Sequence, residues 1–419
     1  MVRRLLLVVA VAVLVASACA GESDSDVVAV EPAVVGPFRG ETGATGTHLP
    51  ILDDSVTALP FVLDQVRSSP VEAVPSALRG DRDHPSFPAP LVALDSLTSG
   101  GRPPDGIPAI DSPRFQHAAS VGWLGAVEPV VVVEVNDEVR AYPLQILTWH
   151  EIVNDTIGGV PVAITYCPLC NSALAYDRRL GDRVLDFGTS GELFNSSLVM
   201  YDRQTESLWT HFDSTAVIGH LAGEQLETFS VQTTSWEQYR EAHPESVVLS
   251  RVTGFDMPYG RNPYMGYDNP GGVAAFFDGE TDPQLPVKER VIVVRHDDAP
   301  AVVVPLSVAF DAGAFVFEAH GRELVAFVDP GVSSPLDGEG VDLGYDQGAA
   351  AVFVNELDGR RLDVVRTTAG FTDRLSGVTF DIFGEANDGS GRRLDVVEHL
   401  DTFWFAIAAF EPDAQIVDD

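Results

Sequence analysis

The sequence contains an internal repeat, and this repeat limits the possible folds more than any other feature of the chain. Residues 209–245 align without a gap with residues 377–413. The identical pairs are Phe212 and Phe380, Asp213 and Asp381, Gly223 and Gly391, Leu226 and Leu394, Trp236 and Trp404, and Pro244 and Pro412. Identities at one fixed offset, a rare tryptophan among them, indicate a duplication. We therefore predict two tandem copies of one domain, packed together, at residues 115–250 and 287–415.

The local pattern within each copy is that of strands with few helices. Residues 130–135 form a β-branched run, Asn136-Asp137 is a turn signal, and residues 139–142 return, which predicts a hairpin. One helix is predicted from Pro143 to about Val153, and another over residues 236–242, where Ser235 and Gln238 have capping-box spacing. The predicted class is α+β, with mainly antiparallel sheet and few short helices.

The first nineteen residues have the pattern of a bacterial lipoprotein signal. A short basic start precedes an apolar run over residues 5–15 and the small residues before Cys19. That run is too short to span a bilayer, which takes about 20 residues. We expect lipidation of Cys19 and a membrane anchor outside the cytoplasm; the alternative is an ordinary signal peptide with an incidental cysteine.

The amino-acid composition distinguishes three further segments outside the two predicted copies. Residues 20–50 are acidic and poor in apolar side chains, as in a flexible tether, and residues 51–114 are expected to pack on the body as an N-terminal extension. Residues 251–286 form a connector rich in Gly, Pro and Tyr.

The charge of the chain limits its partners. Asp and Glu number 62 against 26 Lys and Arg, which gives a formal charge of -36, while 45% of residues are hydrophobic. That apolar content excludes a disordered chain, and so strong a negative charge repels nucleic acids. No nucleic-acid partner is expected.

Two cysteines carry the chemistry that the sequence offers. With Cys19 lipidated, only Cys167 and Cys170 remain, separated by Pro168 and Leu169 and following a predicted strand over residues 160–166. Under the repeat alignment they fall near Pro330 and Ser333, and His150 falls near Ala312. Reactive residues are thus confined to the first copy, and we expect the second copy to cover or complete the site.

Three uses of this pair stay open. In a redox interpretation Cys167 attacks, Cys170 resolves, and His150 lowers the thiol pKa; His150 with Glu151 could also act as a general-base pair. In a metal interpretation copper or zinc is held by Cys167, Cys170, His150 and His211, and a metal donor is a partner. In the third, the pair is a structural disulfide in a ligand- or protein-binding module.

Weaker candidates for substrate contacts are polar residues near turns. They are Tyr166, Asn195, Tyr201 and Arg203. An Asp202–Arg203 ion pair inside a hairpin is the structural alternative for the last of these.

Longer motifs in this region resemble one family. They are Tyr142-Pro143-Leu144, residues 149–155, residues 165–170, residues 187–191, residues 195–203 and residues 207–209. Together they resemble the domain-of-unknown-function family 3179, over roughly residues 105–415. The resemblance implies a bacterial or archaeal exported protein without an established activity. Some members are named as selenoproteins, which implies redox use of the Cys167 or Cys170 position. Asn171 and His211 stand where Gly and Gln are commoner, so His211 ranks below His150 as a ligand.

Overall fold

The computed structural model describes residues 75–417 and the short strand Val56–Thr57. The predicted signal peptide, the tether, Cys19 and most of residues 51–74 lie outside the described residues. Within residues 75–417, no helix is both long and apolar enough to cross a membrane.

The first half of the chain is built from short strands and two helices. The helices are α1 (Leu144–His150) and α2 (Trp236–Ala242). The strands are β1 (Val56–Thr57), β2 (Thr98–Ser99), β3 (Phe115–His117), β4 (Pro129–Val135), β5 (Glu138–Pro143), β6 (Ile152–Ile157), β7 (Val160–Cys167), β8 (Ser172–Asp177), β9 (Arg179–Leu180), β10 (Arg183–Val184), β11 (Phe187–Phe194), β12 (Ser197–Asp202), β13 (Leu208–Thr210), β14 (Thr215–Ile218), β15 (Thr228–Phe229), β16 (Val231–Ser235) and β17 (Val247–Leu249).

These strands form three main sheets. The sheet orders are β1-β3-β17-β5-β4-β16, β15-β8-β7-β6 and β14-β13-β12-β11-β2. Within these sheets the neighbours pair antiparallel except for β17 beside β5. The N-terminal segment joins them, because β2 pairs with β11 and β3 pairs with β17. The β9–β10 hairpin stands apart from the three sheets.

Within the described residues, the second half has a similar order of elements but lacks counterparts of β14 and β15. Its helices are α3 (Leu306–Ala312) and α4 (Trp404–Phe410). Its strands are β18 (Arg290–His296), β19 (Ala299–Pro305), β20 (Ala314–Ala319), β21 (Arg322–Asp329), β22 (Ala349–Val354), β23 (Glu356–Leu357), β24 (Arg360–Arg361), β25 (Val364–Thr367), β26 (Gly370–Asp373), β27 (Thr379–Phe380), β28 (Leu400–Phe403) and β29 (Gln415–Ile416). The parallel pair β29–β19 corresponds to β17–β5. The α+β class with mainly antiparallel sheet is confirmed, while the duplication itself stays a prediction.

The strand register refines the alignment of the two halves. Thr165 lies opposite Ile152, and Phe327 lies opposite Ala314. Two residues further along each strand, Cys167 of β7 corresponds to Asp329 of β21. The sequence alignment places Cys167 near Pro330, one residue later. The loop that follows is short in the first half, residues 168–171, and long in the second, residues 330–348. Cys170 therefore has no partner in register, since it lies within this loop.

The first helix is shorter than the sequence predicts. It ends at His150, and Ile152 and Val153, predicted to be helical, belong to β6. These β-branched residues pair with Thr165 and Ile164 of β7, and that pairing is available only if the chain leaves the helix first. The second helix begins as predicted, with both hydrogen bonds of the Ser235–Gln238 capping box present.

The two halves share one hydrophobic core cluster around the cysteine loop. It contains Cys167, Leu169 and Cys170 together with Phe403 and Trp404 of the second half. This packing places the reactive loop of the first half directly against β28, which explains how the second half completes the site.

Candidate active site

The two cysteines lie at the turn between β7 and β8. Cys167 is the last residue of β7 and pairs with Ser172, the first residue of β8. Both cysteines are free thiols, with relative exposures of 1% for Cys167 and 0% for Cys170. A large protein partner therefore cannot reach either sulphur without rearrangement of the loop.

Backbone oxygens of the loop are held by residues far away in the chain. The Tyr267 hydroxyl of the connector donates to the carbonyl of Leu169 at 3.0 Å. The carbonyl of Cys170 accepts from the Thr402 hydroxyl at 2.9 Å and from the Phe403 amide at 3.0 Å. Connector and second half thus fix the geometry of a loop to which they contribute no thiol.

Hydrogen bonds surround the Cys170 sulphur. It lies 3.5 Å from the Ser197 hydroxyl and 3.8 Å from the carbonyl oxygen of Cys167. Burial raises the pKa of the Cys170 thiol, but hydrogen bonds from Cys167, Ser172 and Ser197 outweigh burial, and the net shift is downward. The Cys170 thiol therefore loses its proton more readily than an ordinary cysteine thiol does.

The Cys167 thiol has the opposite tendency. Burial raises its pKa well above the ordinary value, and the hydrogen bond that it makes to Cys170 raises it further. His211 acts in the other direction, because a protonated imidazole would favour the thiolate. The two cysteines therefore form an unequal pair in which Cys167 keeps the proton.

Glu151 lies at the end of α1 with a left-handed backbone. Its φ is 58°, and its amide closes the helix by donating to the carbonyl of Leu147. Gly313, with a φ of 75°, occupies the same capping position after α3. A side chain in this conformation costs about 1–2 kcal/mol, which glycine avoids. Strain of this kind is common at functional sites.

Glu151 lies beside the strand that carries Cys167. Its backbone carbonyl accepts from the Tyr166 amide at 2.8 Å, which extends the β6–β7 ladder to the residue before Cys167. Burial raises the pKa of the Glu151 carboxyl well above its ordinary value, and negative charge on Cys167 raises it further. Both influences favour the neutral form of the carboxyl.

His211 is the histidine that interacts electrostatically with a cysteine, Cys167. It follows β13, is fully buried, and neither ring nitrogen has a hydrogen-bond partner among the described residues. Burial lowers its pKa to about 4, against the favourable influence of Cys167. The structure thus places His211, ranked lower from the sequence, beside the thiol.

His150 lies elsewhere. Its Nδ1 bonds to the carbonyl of Pro108 at 2.7 Å, and its Nε2 to the hydroxyl of Tyr259 at 2.6 Å. Burial lowers its pKa to about 4. Both nitrogens are engaged by these partners, so the structure does not bring His150 to a sulphur. Glu151, the positive-φ residue after the helix, lies beside the strand that carries Cys167 instead.

A pocket of about 420 Å³ opens beside the loop. Glu151 and Leu169 form part of its wall, and the rest is mainly apolar. Its other lining residues are Ser99, Gly100, Gly101, Arg102, Gly106, Ile107, Pro108, Thr148, Trp149, Thr189, Gly191, Glu192, Leu193, Leu198, Met257, Pro263, Tyr264 and Phe276. A volume of this size suits a small organic molecule.

The weaker candidates for substrate contacts lie outside this pocket. Tyr166 donates to the side-chain oxygen of Asn171 at 3.0 Å, and Asn195 occupies the positive-φ turn between β11 and β12. Tyr201 donates to Asp105 at 2.5 Å.

Arg203 is paired with carboxylates of the N-terminal segment. It forms ion pairs with Asp105, at 3.2 Å, and with Asp111. The expected pairing of Arg203 with Asp202 is therefore replaced, since Asp202 accepts hydrogen bonds from Thr205 and Trp209 instead.

Several residues of the site escaped the sequence analysis. Ser172, Tyr264, Tyr267 and Thr402 were not candidates. The tyrosines lie in the connector, whose Tyr content was the one available signal, whereas Thr402 lies in the half without cysteines and gave none.

The comparisons place the chain in a family without assigning it an activity. Among residues 75–417, no cluster of three or more His, Cys, Asp or Glu side chains is arranged to hold a metal ion. No curated protein and no solved structure matches the chain. The family model described as Protein of unknown function (DUF3179) matches residues 104–414, and the chain belongs to this family.

Proposed function

We propose that the chain is a redox protein whose Cys167–Cys170 pair cycles between dithiol and disulfide, with a role like that of a thiol-disulfide oxidoreductase. The observation that carries this proposal is a pair of buried free thiols in one loop, with the Cys170 sulphur 3.5 Å from the Ser197 hydroxyl; the pKa of Cys170 is lowered and that of Cys167 is raised. A pair poised in this way has one nucleophile and one proton donor.

The reaction balances with a small two-electron acceptor. The Cys170 thiolate and the Cys167 thiol form one S–S bond, the Cys167 S–H bond breaks, and two electrons pass to the acceptor. The Cys167 proton leaves by way of Glu151 in the pocket wall, whose neutral carboxyl releases its own proton to the acceptor and takes up the proton of Cys167. In this proposal Cys170, and not Cys167 as predicted from the motif, is the thiolate.

The loss of stability that Glu151 causes supports a chemical role for the site. Glu151 keeps a strained backbone and a buried carboxyl where Gly313 meets the same structural need in the second half. Both features cost stability, and neither improves packing. A purely structural disulfide would need neither a carboxyl nor a hydroxyl beside the sulphurs.

Location and partners complete the proposal. The signal pattern at Cys19 supports a lipid anchor outside the cytoplasm, and the strong negative charge of the chain disfavours nucleic acid. The redox partner in the cell is then a small molecule, or, if the loop rearranges, a protein with a thiol or disulfide of its own.

The test is a thiol assay on the full chain carrying Cys19→Ser, so that Cys167 and Cys170 are the only cysteines. Mild oxidation with diamide should remove both free thiols and lower the mass by two hydrogens, and dithiothreitol should restore them. The variants C167S and C170S should show neither change. Thiols that resist diamide in the folded chain but react after unfolding would refute redox use.

A metal site is the second candidate, and the unpartnered nitrogens of His211 beside Cys167 favour it. Cys167, Cys170 and His211 are not arranged to hold a metal ion as they stand, so copper or zinc would have to draw the three side chains together, with His150 left to Pro108 and Tyr259. Native mass spectrometry with added zinc or copper tests it. An adduct lost in H211Q would support this candidate, and its absence in the unmodified chain would exclude it.

A further inference from the structure

The pocket beside the dithiol has a chemistry that narrows its ligand. We propose that it binds a quinone, and that this quinone is the two-electron acceptor for Cys167 and Cys170; the inference rests on the redox function proposed above. The juxtaposition that carries it is an apolar, aromatic pocket whose wall contains the buried Glu151 and also Leu169 of the cysteine loop.

The wall of the pocket selects a flat, uncharged molecule. Trp149, Tyr264 and Phe276 supply aromatic faces, and Leu193 and Leu198 supply aliphatic ones. Aromatic rings stack on such side chains. A charged ligand would lose hydration on entering this mainly apolar pocket, which costs free energy. The volume of about 420 Å³ accommodates a substituted ring system.

The buried carboxyl of Glu151 selects a hydrogen-bond acceptor on that molecule, whereas Glu192, also in the wall, is paired with Arg82. Glu151 is only 7% exposed, and the neutral form that burial favours is a hydrogen-bond donor. A carbonyl oxygen on an apolar ring is the matching group. Anionic disulfides such as oxidised glutathione fit worse, because the pocket is mainly apolar and the chain carries a formal charge of -36.

Burial of the sulphurs requires a small acceptor. With exposures of 1% and 0%, Cys167 and Cys170 are closed to a protein disulfide. Leu169, between them in sequence, belongs to the pocket wall. A ligand in the pocket therefore lies against the cysteine loop, and in this proposal a movement of Leu169 lets the ligand reach the sulphurs.

Electrons and protons balance in this reaction. The Cys170 thiolate and Cys167 thiol become a disulfide, and the quinone takes up two electrons. Glu151 transfers the proton of Cys167 to one carbonyl oxygen, and water supplies the second proton. The product is the hydroquinone.

Binding is tested first, without redox chemistry. In the full chain with Cys167→Ser and Cys170→Ser, duroquinone should quench the fluorescence of Trp149 saturably, and W149F should lose that component. Duroquinone is the probe because its ring is fully methylated and thiols do not add to it. Leu193→Gln should weaken binding about tenfold, a loss of one apolar contact. Leu375→Gln, at a leucine that is 74% exposed and outside the pocket, is the matched control.

Electron transfer is tested second, in the Cys19→Ser chain under anaerobic conditions. Duroquinone should consume both thiols with release of one hydroquinone. Leu169→Ala should accelerate the reaction, since it removes the side chain between ligand and sulphurs, and Phe276→Ala should slow it.

The outcomes separate the two proposals. Unsaturable quenching, or equal binding by L193Q and L375Q, overturns the quinone site. Oxidation by diamide but not by bound duroquinone overturns the acceptor assignment and leaves the redox function standing. Resistance of the folded thiols to both reagents overturns the redox function and, with it, the acceptor role.

Discussion

The Thr402 hydroxyl donates a 2.9 Å hydrogen bond to the carbonyl oxygen of Cys170, across the boundary between the two halves of the chain. The same hydroxyl accepts from Ser172 at 2.8 Å. A residue of the half without cysteines thus orients the loop that carries them, and this contact can be removed without changing side-chain volume.

The first prediction concerns that contact. Thr402→Val should lower the free energy of unfolding by about 1–2 kcal/mol, because a buried hydroxyl of Ser172 loses its acceptor. It should also lower the pKa of Cys170, because the Ser172 hydroxyl has a single proton and, without Thr402 as its acceptor, can donate that proton to the sulphur. Urea unfolding and a pH titration of thiolate absorbance measure the two effects. T402S keeps the hydroxyl and should resemble the unmodified chain; equal behaviour of T402V and T402S would contradict the role.

The second prediction separates backbone strain from carboxyl chemistry at Glu151. Both E151A and E151G remove the carboxyl and should slow oxidation of the dithiol. E151G should be about 1 kcal/mol more stable than E151A, because only glycine adopts a φ of 58° without cost. Chemical denaturation of the two variants measures the difference.

The control is the equivalent position in the second half. Gly313→Ala should destabilise the chain, since its φ is positive and an added Cβ would come within 2.7 Å of Arg366. Equal stability of E151A and E151G would show that Glu151 is not strained.

Local patterns were enough to predict much of the fold. The hairpin of β4 and β5, the capping box of α2 and the strand before Cys167 each depend on neighbours in sequence. Such features follow from β-branched runs, turn residues and cap spacing, which act over a few residues.

Which residues meet at the site depends on contacts between segments that are far apart in the sequence. His150 was chosen because it is close to the cysteines in a motif, but α1 ends one residue before the chain turns toward them. His211 reaches Cys167 through the packing of separate sheets, and Thr402 reaches Cys170 through the packing of the two halves. Hydrophobic patterning says which faces are buried, not which polar residues then meet.

The third prediction assigns the thiolate. Ser197→Ala should raise the pKa of Cys170 by somewhat under one unit, since one hydrogen bond of about 1 kcal/mol is lost. Thiolate absorbance against pH, in the Cys19→Ser chain, measures it. The neighbouring Ser196→Ala is the control, because the Ser196 hydroxyl donates to the carbonyl of Ala275 and not to sulphur.

If Cys170 is the thiolate, the two single-cysteine variants should also differ in their rates of alkylation. C167S, which keeps Cys170, should be alkylated by iodoacetamide faster than C170S, which keeps the thiol of raised pKa. The reverse order would assign the thiolate to Cys167, as the motif alone suggested.

The last prediction uses His211 as a pH sensor of stability. Burial lowers its pKa in the folded chain to about 4, below the ordinary 6.5. As the pH falls below about 6.5, His211 binds a proton in the unfolded chain. In the folded chain His211 stays neutral until the pH reaches about 4. His211 therefore contributes stability above pH 6.5 that is lost on acidification, at a slope approaching 1.4 kcal/mol per pH unit.

Comparison with H211Q isolates this contribution, because carboxyls of raised pKa such as Glu151 act in the opposite direction but occur in both proteins. The free energy of unfolding of the unmodified chain minus that of H211Q should fall steadily between pH 6.5 and pH 4 and stay level above pH 7. H220Q, at an exposed position, controls for the substitution. A difference that stays constant across this range would mean that the imidazole takes up a proton as readily in the folded chain as in the unfolded chain, and the unequal thiol pair would then lose its neutral neighbour.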